Sequence, residues 1–523
     1  MNSPEAMLIG GLIRVTQGLL ACAPTLLVGL LIAAILRYYI GHDGTRRVFG
    51  GHSMRSLPQS WLVGMLLPVC SIGVLPILIQ MRKSGVRPGA MSAFALSAPL
   101  FNPLSLLYGL TLSRPLVIIF FAFGSLLIVT LLGLLWDAFD KRRKTSHQAG
   151  NEVECNLIGL RRLAASVIYM SRDASGKPLA LTLLALSGLA ILAGVLPYGA
   201  MQNRVEYDDQ MAPITMMAVS VPVYATPMLA MSQLGMMFQH ANSPGAAFTL
   251  LILGTGINLA TPFWFAKHFG SKPSLLWFMT LLGIVLAISY AINQPLVPPG
   301  VQPAGHTHAF DIYANPLSVY HQNLWTTAKD AVEKQMDVAG VIALGVLAVL
   351  SLIGIVARTF RFDESRLVIE NPSHVGKTSR GKFDIIVPRS VIGATMLIGL
   401  IALSIVACYA YYPSPDECLE EIALARAECL SAANSGDAEH ALFWLPVWEE
   451  WSRRLEVGTF LRCGRLRRYQ SMQGFLIRKK LEMLEHELEH DPYEPDEVKA
   501  VVQSLLSTNS RWVGSFRMPS KPD

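Results

Sequence analysis

The chain contains 523 residues, of which 52% are hydrophobic and 15% are charged, and its formal net charge at pH 7 is +6. Soluble globular domains carry about 25% charged residues, so this composition argues against a soluble protein. It also excludes a disordered chain, collagen and a small disulfide scaffold. The basic residues lie in short clusters between apolar runs, and we therefore expect no nucleic acid among the partners.

Ten apolar stretches are long enough to cross a bilayer, which takes about 20 mostly apolar residues per helix. They predict an all-α polytopic membrane protein that is surrounded by the lipid bilayer. The first stretch is too long for a removable signal peptide, and no cleavage site follows it. In chain order the stretches lie near 16–36, 59–82, 88–110, 114–137, 179–197, 212–235, 244–266, 273–293, 338–359 and 390–412.

The segments between these stretches predict four regions. A membrane core occupies 1–293 and is followed by a polar loop at 294–337. Two further transmembrane helices with a basic loop between them occupy 338–412. The charged tail at 413–523 predicts a small soluble helical domain, because Ser414 and Glu417 form a capping pattern and apolar residues then recur at helical spacing. Those apolar residues are Trp444, Trp448, Trp451 and Leu455.

The core contains an internal repeat, over about 8–137 and 179–293. The most similar segment of the first copy lies at 68–103, and its counterpart in the second copy lies at 222–258. Both contain, in the same order, a Pro-Val pair, a second proline, a Pro-Gly-Ala triplet and an asparagine 14 positions after the triplet begins. These residues start at Pro68, Pro76, Pro88 and Asn102 in the first copy, and at Pro222, Pro227, Pro244 and Asn258 in the second. The pattern predicts a twofold repeat, although proline and glycine are also common in unrelated membrane helices.

Loop charge favours an inverted arrangement of the two copies. If all ten stretches span and the N-terminus is inside, the basic segments 37–58 and 360–389 both fall outside, against the positive-inside rule. If 59–82 and 212–235 instead enter the membrane and return on the same side, and the N-terminus is outside, both basic segments become cytoplasmic. Inverted halves with Pro-broken helices are a recurring transporter design. Full spanning of both elements is the alternative.

Three motifs of the first copy carry a family resemblance. They are the segment from Pro68 to Pro76, the run Arg82-Lys83-Ser84-Gly85, and the stretch from Phe94 to Pro99 with Asn102-Pro103. Together they resemble a predicted bacterial permease family that includes organoarsenical-efflux permeases, over roughly residues 8–293. The resemblance implies transport of a small molecule or ion, with efflux of an anion or metalloid. The family's second motif cysteine is Ile72 here, and Cys70 alone cannot chelate a soft metalloid through two thiolates.

The broken elements also predict a substrate site. A proline removes a backbone donor and ends a helix, and the freed groups must face protein or a water-filled cavity. We predict helix breaks at Pro68, Gly73, Pro76, Pro103, Pro222 and Pro227, and substrate binding by Cys70, Ser71, Asn102, Tyr224, Thr226 and Asn258. Alternatively, the asparagines cap backbone or bridge helices; for Cys70 we favour a packing role over that of a ligand.

Two histidine patches leave other functions open. His306, His308 and Asp311 have spacing that suits a metal site, with a solvated loop as the alternative. His486 and His490 fit the letters of a zinc-protease helix, but the surrounding acidic run favours a solvated helix end. A metal-dependent membrane enzyme is therefore one alternative to a permease. A membrane anchor that presents the tail to a protein partner is another.

The leading interpretation is a multi-pass permease of the inner membrane, with no catalytic residues and no cofactor. Because 360–389 is basic and one span follows it, the tail is expected on the extracytoplasmic side. An oxidising compartment would then let Cys463 pair with Cys418 or Cys429.

Overall fold

The computed structural model describes residues 4–51, 55–112, 115–143, 160–197, 199–201, 204–296, 309–317, 324–333, 336–360, 388–489 and 494–517. In these ranges the regular structure is helical, and the one extended feature is an isolated bridge between Glu206 and Asn242. The helices, in chain order, are α1 Pro4–Ile35, α2 Gly41–Val48, α3 Ser56–Leu66, α4 Val74–Lys83, α5 Pro88–Ser97, α6 Pro103–Leu112, α7 Pro115–Arg143, α8 Leu160–Ala174, α9 Lys177–Val195, α10 Ala212–Ser220, α11 Pro227–Gln239, α12 Pro244–Thr249, α13 Ala260–Phe269, α14 Ser271–Asn293, α15 Leu324–Glu333, α16 Val338–Thr359, α17 Arg389–Tyr411, α18 Pro415–Ser435, α19 Ala438–Cys463, α20 Arg468–Glu489 and α21 Pro495–Arg517. Short π-helical turns at Leu36–Ile40 and Leu250–Thr255 continue α1 and α12.

Six described helical segments are long and apolar enough to span a membrane, which confirms an all-α polytopic membrane protein. They match six of the ten predicted stretches. They are Pro4–Val48, Pro115–Ala138, Lys177–Val195, Ser271–Asn293, Val338–Thr359 and Ser390–Tyr411. A seventh span results if Pro244–Thr255 and Ala260–Phe269, which meet at 57°, are counted as one.

The four remaining stretches are the ones that carry the repeated motifs, and each is interrupted. The breaks lie at 67–73, 98–102, 221–226 and 256–259. Breaks were predicted within 59–82 and 212–235 and at Pro103 in 88–110, whereas no break was predicted within 244–266, where the structure adds one at 256–259. The reason for the break within 88–110 is local, because Pro103 occupies the first position of α6 and a residue before proline disfavours the helical conformation.

The predicted helix-breaking residues have different positions. Pro68 and Pro222 lie within breaks, and Gly73 is the N-cap of α4. Pro103 and Pro227 begin α6 and α11. Pro76 is the exception, because it lies in the first turn of α4, where a missing backbone donor costs no hydrogen bond.

The chain forms two compact units. Unit 1 comprises Met1–Ser105 and Ile119–Leu403, and unit 2 comprises Leu106–Ile118 and Ser404–Asp523. In unit 1, all ten residues of α5 are buried, as are those of α12 and its π-helical continuation. A helix that is apolar on every side is suited to such a central position.

Unit 2 contains α18 to α21, which pack around one apolar cluster. The predicted tryptophan stripe of α19 faces this cluster: Trp448 and Leu455 are fully buried, and Trp444 and Trp451 pack against its edge. Ser414 caps α18 by accepting a hydrogen bond from the Glu417 amide.

The predicted disulfide of this unit is wrong. Cys418 and Cys429 are buried on α18, Cys463 is exposed at the end of α19, and all three are free.

Candidate functional site

Two of the helix breaks pack directly against the first helix of a repeat. The carbonyl oxygen of Gly73 lies against Gly29 of α1, where an added Cβ would clash with it. The carbonyl oxygen of Pro222 lies against Gly188 of α9 in the same way. Glycine is required at both positions because only a residue without a side chain permits so close an approach of two backbones.

Cys70 and Tyr224, the third residues of the two aligned segments, come together in the structure. The Tyr224 hydroxyl lies within electrostatic reach of Cys70 and of Cys22 on α1. Tyr224 and Cys70 are both fully or almost fully buried. Cys22 was not predicted as a site residue, because nothing in the sequence around it resembles the repeated motif and only folding places it here.

The thiol of Cys70 already has protein partners. The Thr25 hydroxyl donates to Sγ at 2.9 Å, and the Gly73 amide donates to it at 3.4 Å. Cys70 therefore stabilises the end of the break from which α4 begins, which agrees with the favoured packing role.

The two aligned asparagines both cap helices. Asn102 Oδ1 accepts the Ser105 amide at 2.7 Å, at the start of α6. Asn258 Oδ1 accepts the amides of Ala260 and Thr261 at 2.9 and 3.1 Å, at the start of α13. Asn258 differs in that its Nδ2 is buried without a hydrogen-bond partner in the structure.

Thr226 is a cap as well, since its hydroxyl accepts the Leu229 amide at the start of α11. Ser71, by contrast, keeps a buried hydroxyl without a partner.

Four buried polar atoms without a hydrogen-bond partner lie in or directly beside the breaks. An unpaired buried polar group costs about 1–3 kcal/mol, so a set of them calls for a functional explanation. A backbone hydrogen bond from the Ala225 amide to the Gly254 carbonyl joins the break at 221–226 to the π-helical turn that precedes the break at 256–259. The atoms are Ser71 Oγ, Ser220 Oγ, Thr255 Oγ1 and Asn258 Nδ2.

Matching contacts occur in the two predicted copies at a constant spacing of 156 positions. The Gly89 amide donates to Asp137 Oδ1 at 3.1 Å, and the Gly245 amide donates to Asn293 Oδ1 at 3.1 Å. The same spacing relates Asn102 to Asn258. A glycine amide at the start of α5 therefore donates to a side chain of α7, and a glycine amide at the start of α12 donates to a side chain of α14 in the same way.

A buried segment at 309–317 covers the N-terminal part of α1. Arg14 donates to the carbonyl oxygens of Asp311 and Ala314, both at 2.9 Å. On the side of α11, Gln233 accepts the Tyr313 hydroxyl at 2.8 Å. Arg14 lies one helical turn before Gly18, and a Cβ added to Gly18 would lie 3.9 Å from the Tyr224 ring. The segment therefore lies close to the break at 221–226.

Only part of the predicted metal sites lies within the described residues. His306 and His308 lie outside the described residues, as does His490. Asp311 is buried, and its Oδ1 accepts the Gly199 amide. Within the described ranges, no group of three or more His, Cys, Asp or Glu residues is arranged to hold a metal ion.

Apolar spanning helices that enclose interrupted helices with buried polar groups define a polytopic membrane transporter. The chain belongs to the predicted permease family ArsP_1, whose profile matches residues 15–294.

A curated relative is the UPF0718 protein YcgR of Bacillus subtilis (strain 168), which is 28% identical over 88 residues. That match covers 17% of this chain and 30% of the relative, so the chain aligns with less than a third of the relative's length. No solved structure matches the chain.

Proposed function

We propose that the protein is an inner-membrane permease that exports a small anionic or metalloid solute past the four helix breaks, at 67–73, 98–102, 221–226 and 256–259. The observation that carries this proposal is the set of four buried polar atoms in or beside the breaks that have no hydrogen-bond partner among the described residues. A substrate that supplies those partners would be bound during passage, while the surrounding apolar helices exclude water.

The chemistry of the breaks supports an anion or a neutral oxyacid over a cation. No acidic residue occurs in the four breaks. A helix N-terminus follows each break, at α4, α6, α11 and α13, and helix N-termini carry partial positive charge. Hydroxyl and amide groups of Ser71, Thr255 and Asn258 can donate hydrogen bonds to a solute that loses its hydration. The direction, efflux, rests on the family resemblance.

The two copies are proposed to be inverted repeats, with the breaks at 67–73 and 221–226 in re-entrant elements. The recurrent hydrogen bonds of Gly89 and Gly245 support the equivalence of the copies. Loop charge supports their opposite orientation.

Two threonines in one buried helical segment provide a matched test. Thr255 Oγ1 has no partner, whereas Thr249 Oγ1 donates to the Gly245 carbonyl at 3.0 Å and shares a 2.8 Å hydrogen bond with Ser289. Thr255→Val should reduce transport by tenfold or more and leave the free energy of unfolding unchanged or higher. Thr249→Val should lower that free energy by about 1–2 kcal/mol and retain transport per folded molecule.

The measurement pairs solute efflux from cells or proteoliposomes with thermal unfolding of the detergent-solubilised protein. Knockout cells screened for sensitivity to anions, metals and metalloids would provide the solute. Normal transport by Thr255→Val would refute the proposed site. Transport that survives Thr255→Val and Asn258→Leu together would exclude the breaks as the pathway.

Family membership favours transport over the two other functions. A metal-dependent enzyme would require stoichiometric metal in the purified protein, which elemental analysis measures. An anchor would retain its phenotype when the break residues are replaced at normal expression.

A further inference from the structure

The end of the last membrane helix lies against one end of the soluble helices in unit 2. Arg462, near the end of α19, donates to the Tyr412 carbonyl at 2.7 Å. Gly458, one turn earlier, lies against the Pro413 carbonyl. Because α17 ends at Tyr411, the C-terminal end of α19 is close to the point where the chain leaves the bilayer.

The next helices place their connecting turn at the same end. α20 begins at Arg468, directly after this turn, and α21 returns beside it, since Gln470 donates to the Ser515 carbonyl at 3.1 Å. Residues 462–468, which we call the basic turn, therefore lie at the membrane-proximal end of unit 2. The α18–α19 turn at Gly436 and the start of α21 lie at the opposite end, because the helices run antiparallel.

Charge is distributed unevenly between these two ends. The basic turn contains Arg462, Arg465, Arg467 and Arg468, and no acidic residue occurs between Glu456 and Glu482. Arg465 and Arg468 are exposed, and the first two turns of α18 at the same end contribute the exposed acidic residues Asp416, Glu417, Glu420 and Glu421. The opposite end is strongly acidic, with Asp437, Glu439, Glu485, Glu489, Asp496 and Glu497.

Large apolar side chains continue the same surface along α20. Tyr469 is 49% exposed, Met472 is 47% exposed and Leu476 is 36% exposed. Their spacing of three and four residues places them on one face of the helix. Arginine beside exposed aromatic and aliphatic side chains is typical of surfaces that lie in a membrane interface.

We propose that the basic turn and the first turns of α20 dock on anionic phospholipid headgroups of the leaflet in which α17 ends. Guanidinium groups bind phosphate through paired hydrogen bonds, and Tyr469 and Met472 reach into the interface beside them. Attachment on two sides, by α17 and by the basic turn, holds unit 2 close to the bilayer and leaves its acidic end in water. This surface is independent of the transport proposal.

Cys463 supplies a reporter inside the basic turn, since it is exposed while the other described cysteines are buried. The test uses the full-length protein in nanodiscs of phosphatidylcholine alone or mixed with phosphatidylglycerol. Cys155, which lies outside the described residues, is replaced by serine (Cys155→Ser) so that it cannot react. A membrane-impermeant maleimide should label Cys463 about fivefold more slowly in the anionic discs, and high salt should remove the difference.

Two double variants serve as a matched pair. Arg465→Gln/Arg468→Gln should abolish the lipid dependence, whereas Lys479→Gln/Lys480→Gln, three helical turns along α20, should preserve it. Equal labelling rates in both lipids, or an effect that survives Arg465→Gln/Arg468→Gln, would overturn the proposal. Protection by added poly-glutamate in neutral discs, without any effect of phosphatidylglycerol, would assign the surface to an acidic protein instead.

Discussion

The neighbours of Cys70 indicate which role its thiol has at the helix break. Its thiol accepts hydrogen bonds from Thr25 and from the Gly73 amide, and it lies beside Tyr224 and Cys22. Both accepted hydrogen bonds are of a kind that a hydroxyl oxygen can also accept. Cys22 on α1 is a second buried thiol in this neighbourhood, which the sequence motif did not include.

We predict that Cys70→Ser retains transport, because serine can accept the same two hydrogen bonds in nearly the same volume. Cys70→Leu should abolish it, because a larger apolar side chain would overpack the break. Efflux assays normalised to the amount of folded protein provide the measurement. If Cys70→Ser and Cys22→Ser each abolish transport at normal protein levels, the thiols bind a thiophilic metalloid and the hydroxyl and amide site is not the main one.

At the scale of helices, the two predicted copies position their central buried helix through the same kind of hydrogen bond. α5 begins beside Asp137 of α7, and α12 begins beside Asn293 of α14. In both cases a side-chain oxygen accepts the first free amide of a helix, which otherwise would be unpaired in the membrane. Arg87 lies 3.9 Å from Asp137, but the second copy has an uncharged acceptor.

This equivalence predicts that Asp137→Asn lowers the free energy of unfolding by less than about 1 kcal/mol, since the pair with Arg87 is weak and an amide oxygen can still accept the Gly89 amide. Asp137→Ala should lower it by about 1–3 kcal/mol, because the Gly89 amide loses its acceptor. Asn293→Ala is the matched variant of the second copy and should cost a similar amount. Thermal unfolding in detergent measures all three, and a large loss in Asp137→Asn would show that the charge itself is needed.

For the whole molecule, the number of membrane crossings decides the location of unit 2. Six uninterrupted candidate spans are described, and the interrupted elements add crossings only if they pass through the bilayer. With re-entrant elements at 59–82 and 212–235, the predicted topology has an extracytoplasmic N-terminus and an extracytoplasmic unit 2.

Labelling of the exposed Cys463 tests this location directly. In a Cys155→Ser background, a membrane-impermeant thiol reagent should label Cys463 in intact cells whose outer membrane has been permeabilised. Ser435→Cys, at the far end of α18, is a second reporter that lies away from the basic turn. Labelling of both positions only after lysis would place unit 2 in the cytoplasm, and the re-entrant arrangement would then be wrong.

The membrane class and the helix breaks at the repeated motifs could be predicted from the sequence. Composition reports the solvent in which a chain folds, and proline restricts its own backbone and that of the preceding residue regardless of distant contacts. The tryptophan stripe of α19 was predictable for a similar reason, because helical periodicity reports burial. The break at 256–259 was not predicted, because apolar length by itself does not report interruptions.

Only the tertiary structure decided which polar groups at the breaks keep a partner. Asn102, Thr226 and Asn258 look alike as candidates and all three cap helices, yet of these only Asn258 retains a buried, unpartnered donor. The proximity of Cys22 to Cys70 and Tyr224 likewise depends on how α1 packs against both breaks. Hydrogen bonding and close packing depend on the positions of residues distant in sequence, whereas hydropathy and proline act locally along the chain.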